Sequence, residues 1–212
     1  MTRLWWRLAI LFWLFVVALV LLLQGTAWDG HDLLAALDTS GCAAPCFMNI
    51  QPGITSSSMA YQRLQTHPWT MEVNAVLSTA DTLNQTREAL LIWRWNGREP
   101  LVLHTPFLDA GEVDVQTGVV RSIRLRTGIS FGMVWLTLGR PGYGYTQLSK
   151  NYLGRLANQF AYYPRWGLVV QTLIEYPPTP DGFWNAPVDL FWTNGTPQNN
   201  NYQAPCWMHC DD

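Results

Sequence analysis

Pro52-Gly53-Ile54-Thr55 runs into Met59, Ala60 and Leu64 and stops at His67-Pro68. About 75 residues later Gly128-Ile129-Ser130 runs into Val134, Trp135 and Leu138 and stops at Gly139-Arg140-Pro141. Each phrase reads as a capped helix start. A Ser or Thr hydroxyl accepts from an unpaired N–H of the first turn, and an apolar residue just before the cap packs on the fourth helical position. Thr55 and Ser130 are the expected caps, with Ile54–Met59 and Ile129–Val134 as the apolar pairs. A repeat of this period marks one supersecondary unit used twice.

Outward from this repeat, the N-terminus carries an unbroken apolar run of 16 residues, 8–23, preceded by Arg3 and Arg7. With Leu4, Trp5 and Trp6 the run reaches spanning length, Arg7 can reach the interface, and the Trp pair suits a headgroup layer. The expectation is a transmembrane anchor through residues 4–23, cytoplasmic at its N-terminus, with the remaining chain extracytoplasmic. The alternative is a signal peptide cleaved near Ala27, at Gly25-Thr26-Ala27, which would release a secreted chain.

Charged residues make up 13% of the chain, about half the usual share, and the net charge is −2 with no basic run. Nothing here supports nucleic-acid binding. The cysteines come as Cys42-x3-Cys46 and Cys206-x3-Cys210. In an exported chain they are expected to form disulfides, and the spacing leaves all three pairings open. Cross-pairing would tie the two ends of the folded region; local pairing would constrain far less chain. Four thiolates, or three with His209, are also a zinc-like set, but an oxidising compartment favours disulfides. No metal or other cofactor is expected.

A linker with a turn or two of helix around Leu33, Leu34 and Leu37 precedes the first repeat. The first helix is expected over 55–66, followed by strands at 69–78, 89–96, 101–105 and 119–126, with turns at Asn96-Gly97 and Thr117-Gly118. In the last of these Val119, Ile123 and Leu125 alternate with Ser122, Arg124 and Arg126, as in a half-buried antiparallel strand. The second helix is expected over 131–138, closed by Gly139 and Pro141. A Gly-Tyr-rich stretch at 141–145 leads to a hairpin of 160–163 with 168–174, and to a strand at 187–192.

A Gly-Ile/Met-Thr helix start, a helix closing in Gly-x-Pro and a strand meander resemble the small-protein-A outer-membrane assembly lipoproteins. The order is also similar to the tandem-repeat β-lactamase-inhibitor proteins, which use two such units. The matching residues are Pro52-Gly53-Ile54-Thr55 and Gly128-Ile129-Ser130 through Leu138-Gly139-Arg140-Pro141; the first copy departs by ending His67-Pro68-Trp69. The resemblance implies a membrane-anchored or secreted binding module without catalytic residues, whose contact surface is the concave sheet face.

One pattern points elsewhere. Gly128-Ile129-Ser130-Phe131-Gly132 matches the G-x-S-x-G nucleophile elbow, with Asp189 and His209 following in hydrolase order. Ser130 would attack an acyl carbon, His209 would take its proton and Asp189 would orient the imidazole. Against it, the preceding strand alternates with arginines, whereas an elbow strand is apolar on both faces, and no helices stand ready for parallel crossovers. The competing reading makes Ser130 a helix cap. Asp109, Glu112 and Asp114 read as a solvated turn, and His67 as a helix-end residue favoured by the macrodipole.

The aromatics are the better lead. Trp93 and Trp95 share one strand face; they are either core, the reading taken here, or an exposed platform. Tyr143, Tyr145, Tyr162, Tyr163 and Trp166 are expected to contribute a recognition surface. The whole reads as an α+β chain: a signal anchor or signal peptide at 1–27, a linker at 28–41, two tandem helix-plus-antiparallel-β-meander units at 42–127 and 128–193, and an Asn-rich tail with the closing cysteines at 194–212. Its expected role is non-catalytic recognition of a protein, less favourably a glycan, at the cell envelope. The alternatives are the Ser130 hydrolase and a purely structural envelope component.

Overall fold

The computed structural model describes residues 2–25, 30–37, 41–78, 88–105, 110–151 and 154–194. It divides into two units, residues 1–30 and 31–212. The first is helix α1, Thr2–Gly25, about 36 Å long at 1.5 Å per residue. The span expected at 4–23 falls within it; among the described residues no helix is long and apolar enough to cross a membrane.

The second unit is α+β. After α2 (His31–Leu37) and α3 (Ser57–Thr66) come four strands: β1 (Thr70–Ser78), β2 (Glu88–Trp95), β3 (Gly111–Gln116) and β4 (Val119–Ser130). Helix α4 (Phe131–Leu138) then opens a second series of β5 (Tyr143–Asn151), β6 (Gly154–Tyr163), β7 (Leu168–Glu175), α5 (Pro180–Trp184) and β8 (Pro187–Thr193). All eight strands join one antiparallel sheet in the order β1-β2-β3-β4-β8-β7-β6-β5. Each series is a meander, and the two meet where their last strands pair. The register there is Ser122↔Thr193, Ile123↔Trp192, Arg124↔Phe191, Leu125↔Leu190 and Arg126↔Asp189.

Two corrections concern strands. Residues 101–105 are not a strand: Leu101–Leu103 is a 3-10 turn, closed by Leu103 N–H to the Pro100 carbonyl at 2.8 Å, with Val102 and Leu103 buried. The third strand is instead β3. Its Glu112 and Asp114, read as a solvated turn, alternate with buried Gly111, Val113 and Val115 and pair with β2 and β4. Asp109 lies outside the described residues. The Gly-Tyr-rich stretch likewise extends into a full edge strand, β5.

Both helix starts carry a serine cap, which in the first copy lies one residue later than expected. Ser56, not Thr55, caps α3, its Oγ accepting from Met59 N–H at 3.4 Å; Ser130 caps α4, accepting from Met133 N–H at 3.3 Å. The apolar pair in the second copy is Ile129 with Val134, 2% and 0% exposed. Its counterpart in the first is Thr55 with Ala60, both buried, while Ile54 is 70% exposed. Thr55 Oγ1 turns back to accept from Gln51 N–H at 2.8 Å. Each cap is also held by the first residue of its own meander's last strand: Ser56 bridges Val119, and Ser130 pairs with Pro187.

The sheet buries one face. Leu91 and Trp93 on β2, Ile123 and Leu125 on β4, and Leu190 and Trp192 on β8 are all 4% exposed or less. Ala60 and Leu64 of α3, Val134 of α4 and Leu33 of α2 are buried with them. Phe47 stacks on Trp192 at 4.6 Å. Trp93 is thus core. Trp95, half-buried, meets it edge-on at 5.8 Å.

Candidate functional site: the uncovered sheet face

Alternation fixes which side chains leave the core. Opposite Ile123, Leu125, Leu190 and Trp192 point Arg124, Arg126, Asp189 and Phe191, half-buried. Across β7 and β6 the same face continues through Gln171, Asn158, Phe160 and Tyr162, and reaches Tyr143 and Tyr145 on β5. Among the described residues the helices add their buried side chains to the other face. This face has two parts.

At the β5–β6 edge the aromatics form cross-strand pairs. Tyr143 lies opposite Tyr162 with ring centroids 4.7 Å apart, and Tyr145 stacks on Phe160 at 4.6 Å and 19°. Such pairs stabilise the strand edge and hold flat, amphipathic rings in fixed orientation. Towards the seam the face becomes charged. Arg124 donates from Nη2 and Nε to Asp189 Oδ2 at 2.6 and 3.1 Å and from Nη1 to Glu112 at 3.3 Å, with its guanidinium 5.2 Å above the Phe191 ring. Burial pulls the Arg124 pKa down, and the hydrogen bond and charge of Asp189, with Glu112 adding, more than reverse this, so it stands above its ordinary value. Further out, Arg94 pairs with Glu72 at 3.5 Å.

Three of the five aromatics expected on a recognition surface share this face: Tyr143, Tyr145 and Tyr162. Tyr163 does not. Consecutive strand residues point to opposite sides, and Tyr163 is 3% exposed on the helix-covered face. Trp166 lies off the sheet in the 3-10 turn Pro164–Trp166, with the Arg165 guanidinium 5.3 Å from its ring. Phe160, Phe191, Arg124 and Glu112 were missed. Phe160 was legible, because it stands two residues before Tyr162 on one strand; the others needed the β3–β4–β8 register.

The residues of the hydrolase alternative hold other tasks. Ser130 Oγ caps α4, and β4 runs antiparallel to both its neighbours, unlike the central parallel strand of a nucleophile elbow. Asp189 is engaged by Arg124. His209 lies outside the described residues. So do Cys206 and Cys210; Cys42 is paired with Cys46, at a Cα separation of 6.1 Å. Among the described residues no group of three or more His, Cys, Asp or Glu is placed to hold a metal ion.

One acid gave no warning in the sequence. Glu99, its side chain 2% exposed, meets His104 Nδ1 at 2.9 Å. His67 stands at the helix end, as expected: it is the C-cap of α3, its N–H donating to the Leu64 carbonyl at 3.2 Å. Its Nδ1 accepts from Trp69 N–H at 3.3 Å and its ring meets Trp69 edge-on. Desolvation holds its pKa below the ordinary value.

No family model, curated protein or solved structure matches the chain.

Proposed function

We propose that this chain is a non-catalytic, membrane-tethered recognition module that binds a protein partner on the extracytoplasmic side of the cell envelope through the uncovered sheet face. The observation that carries the reading is the set of ring pairs Tyr143–Tyr162 and Tyr145–Phe160, standing on that face beside the Arg124–Asp189–Glu112 cluster. Rigid aromatic area flanked by oriented charge is the composition of a contact surface. A glycan would use the same rings by stacking, but the charged seam favours a protein.

The tether reading rests on residues 8–23, an apolar run lying wholly inside α1 with Arg3 and Arg7 before it. The Cys42–Cys46 bridge suits an oxidising compartment. The order of a helix then four strands, twice, supports the resemblance to tandem helix-plus-meander binding proteins. Fold alone assigns no partner.

The test is site-specific photocrosslinking of the full-length chain in its own membranes, with the probe at Tyr145, at Gln171, or at exposed Arg98 in the β2–β3 loop. A single dominant protein adduct from positions 145 and 171, absent from 98 and lost in a Phe160→Ala background, is the expected result. Equal labelling from all three positions, or none, refutes the assignment of this face.

A further inference from the structure

On the helix-covered side lies a cleft of about 700 Å³, walled by α2, the C-terminal end of α4 and the turn between β6 and β7. That volume suits a small ligand. Arg140 and Arg165 reach it from two elements, Asp32 from a third, and Trp166 and Tyr163 complete the wall. Both arginines are exposed, and the ion pairs present among the described residues involve neither.

Tyr163 forms the floor of this wall. It is 3% exposed, and its phenolic oxygen is buried with no hydrogen-bond partner. Buried polar groups are ordinarily satisfied, so such an orphan calls for an explanation. Desolvation pushes its pKa well above the ordinary value, so the group stays a donor at any physiological pH. The wall is also rigid. Gly167 has φ +54° and packs so closely on Pro45 that a Cβ would lie 2.7 Å from it. That contact fixes the turn carrying Arg165 and Trp166, and Cys46, next to Pro45, is disulfide-bonded.

We propose that this cleft binds a small ligand bearing a carboxylate or phosphate on an apolar or aromatic body. Arg140 and Arg165 bind the anion in fork geometry, and the body lies against Trp166. Asp32 disfavours ligands whose negative charge is spread over both ends. The site is separate from the uncovered sheet face and does not depend on that face binding anything.

Calorimetric titration of the full-length chain in detergent micelles tests this with three probes: benzoate, inorganic phosphate and a short-chain phosphatidylglycerol. Saturable benzoate binding that weakens about tenfold in Arg140→Gln and in Arg165→Gln, with unchanged melting, is expected. Added salt should weaken it further, while Tyr145→Ser leaves it intact. Phosphate binding with the same variant losses supports the site and assigns a free phosphate. Binding confined to the phosphatidylglycerol, again with those losses, supports it and assigns a lipid headgroup. No saturable binding of any probe up to about 10 mM, or binding that both arginine variants retain, overturns the proposal.

Discussion

Gly111→Ala offers a demanding test of the core. Gly111 is buried on β3, directly opposite Trp93 on β2. A Cβ there would lie 2.3 Å from Trp93 Cζ2 and Cη2 and 2.6 Å from the Arg124 carbonyl oxygen. Carbon atoms in contact sit about 3.5–4.0 Å apart, so the indole must retreat by more than about 1 Å. Trp93 is 0% exposed and wedged against Trp95, and the carbonyl belongs to a paired strand. Overpacking of this kind costs about 1–3 kcal/mol, with the upper half expected because one clash is with backbone. Loss of glycine's freedom in the unfolded chain returns about 0.4–1 kcal/mol. The net is a loss of about 2 kcal/mol, or roughly 4–8 °C in Tm for a domain of this size. Urea denaturation with parallel thermal melts measures it. In a double-mutant cycle, Trp93→Leu should recover at least about 1 kcal/mol of the Gly111→Ala loss. Stability within about 0.5 kcal/mol of the parent, or full additivity of the two changes, would refute the claim that Gly111 exists to seat Trp93.

Ser130→Ala should cost about 1 kcal/mol through loss of the α4 cap. Fluorophosphonate labelling should be absent both before and after the change; labelling of the parent chain alone would restore the hydrolase. His67 gives a pH dependence. With its folded-state pKa below 6.5, the unfolded chain binds the proton more readily, so stability falls as pH drops below 6.5 towards the folded value. His67→Gln should flatten that slope in melts taken between about pH 7 and 5, and an unchanged slope contradicts the assignment. Tyr163→Phe removes a hydroxyl that has no partner, so the ligand-free chain should keep its stability to within about 0.5 kcal/mol or gain slightly. A loss above about 1 kcal/mol would mean that the oxygen is satisfied after all.

Where sequence signals were local, they carried the fold. Ser130, the buried pair Ile129–Val134 and the closing Gly139-Arg140-Pro141 delimit α4 within a single turn of chain, and the alternation of β4 marks its two faces. Three serines in a row after Thr55 blurred the first cap, and only the bridge of Ser56 to Val119 selects among them. Strand β3 was hidden because its second face is acidic, and those acids are matched by arginines on the next strand, Glu112 by Arg124 and Asp114 by Arg121. The candidate site was half legible. Strand parity separates Tyr162 from Tyr163 without any coordinates, whereas the pairing of Arg124 with Asp189 joins residues 65 apart in sequence. The cleft is assembled from α2, α4 and the β6–β7 turn, and no local spacing announces it.

Like any antiparallel ladder, β4–β8 has a local two-fold, here through the Arg124–Phe191 pair. If Ile123 is set on Leu190, the Ile123–Trp192 and Leu125–Leu190 pairs exchange, as do Ser122–Thr193 and Arg126–Asp189, and Arg124–Phe191 maps onto itself. A strand pairing with this local two-fold is also the geometry by which two identical chains can join in a closed homodimer. A chain with a single copy of the unit would meet a second copy of itself across its fourth strand, at a concentration-dependent cost. Duplication and fusion of such a chain makes the encounter intramolecular and frees the halves to diverge. One half could then keep aromatic rings on its outer strands while the other took charge, giving a surface that no symmetrical dimer can present.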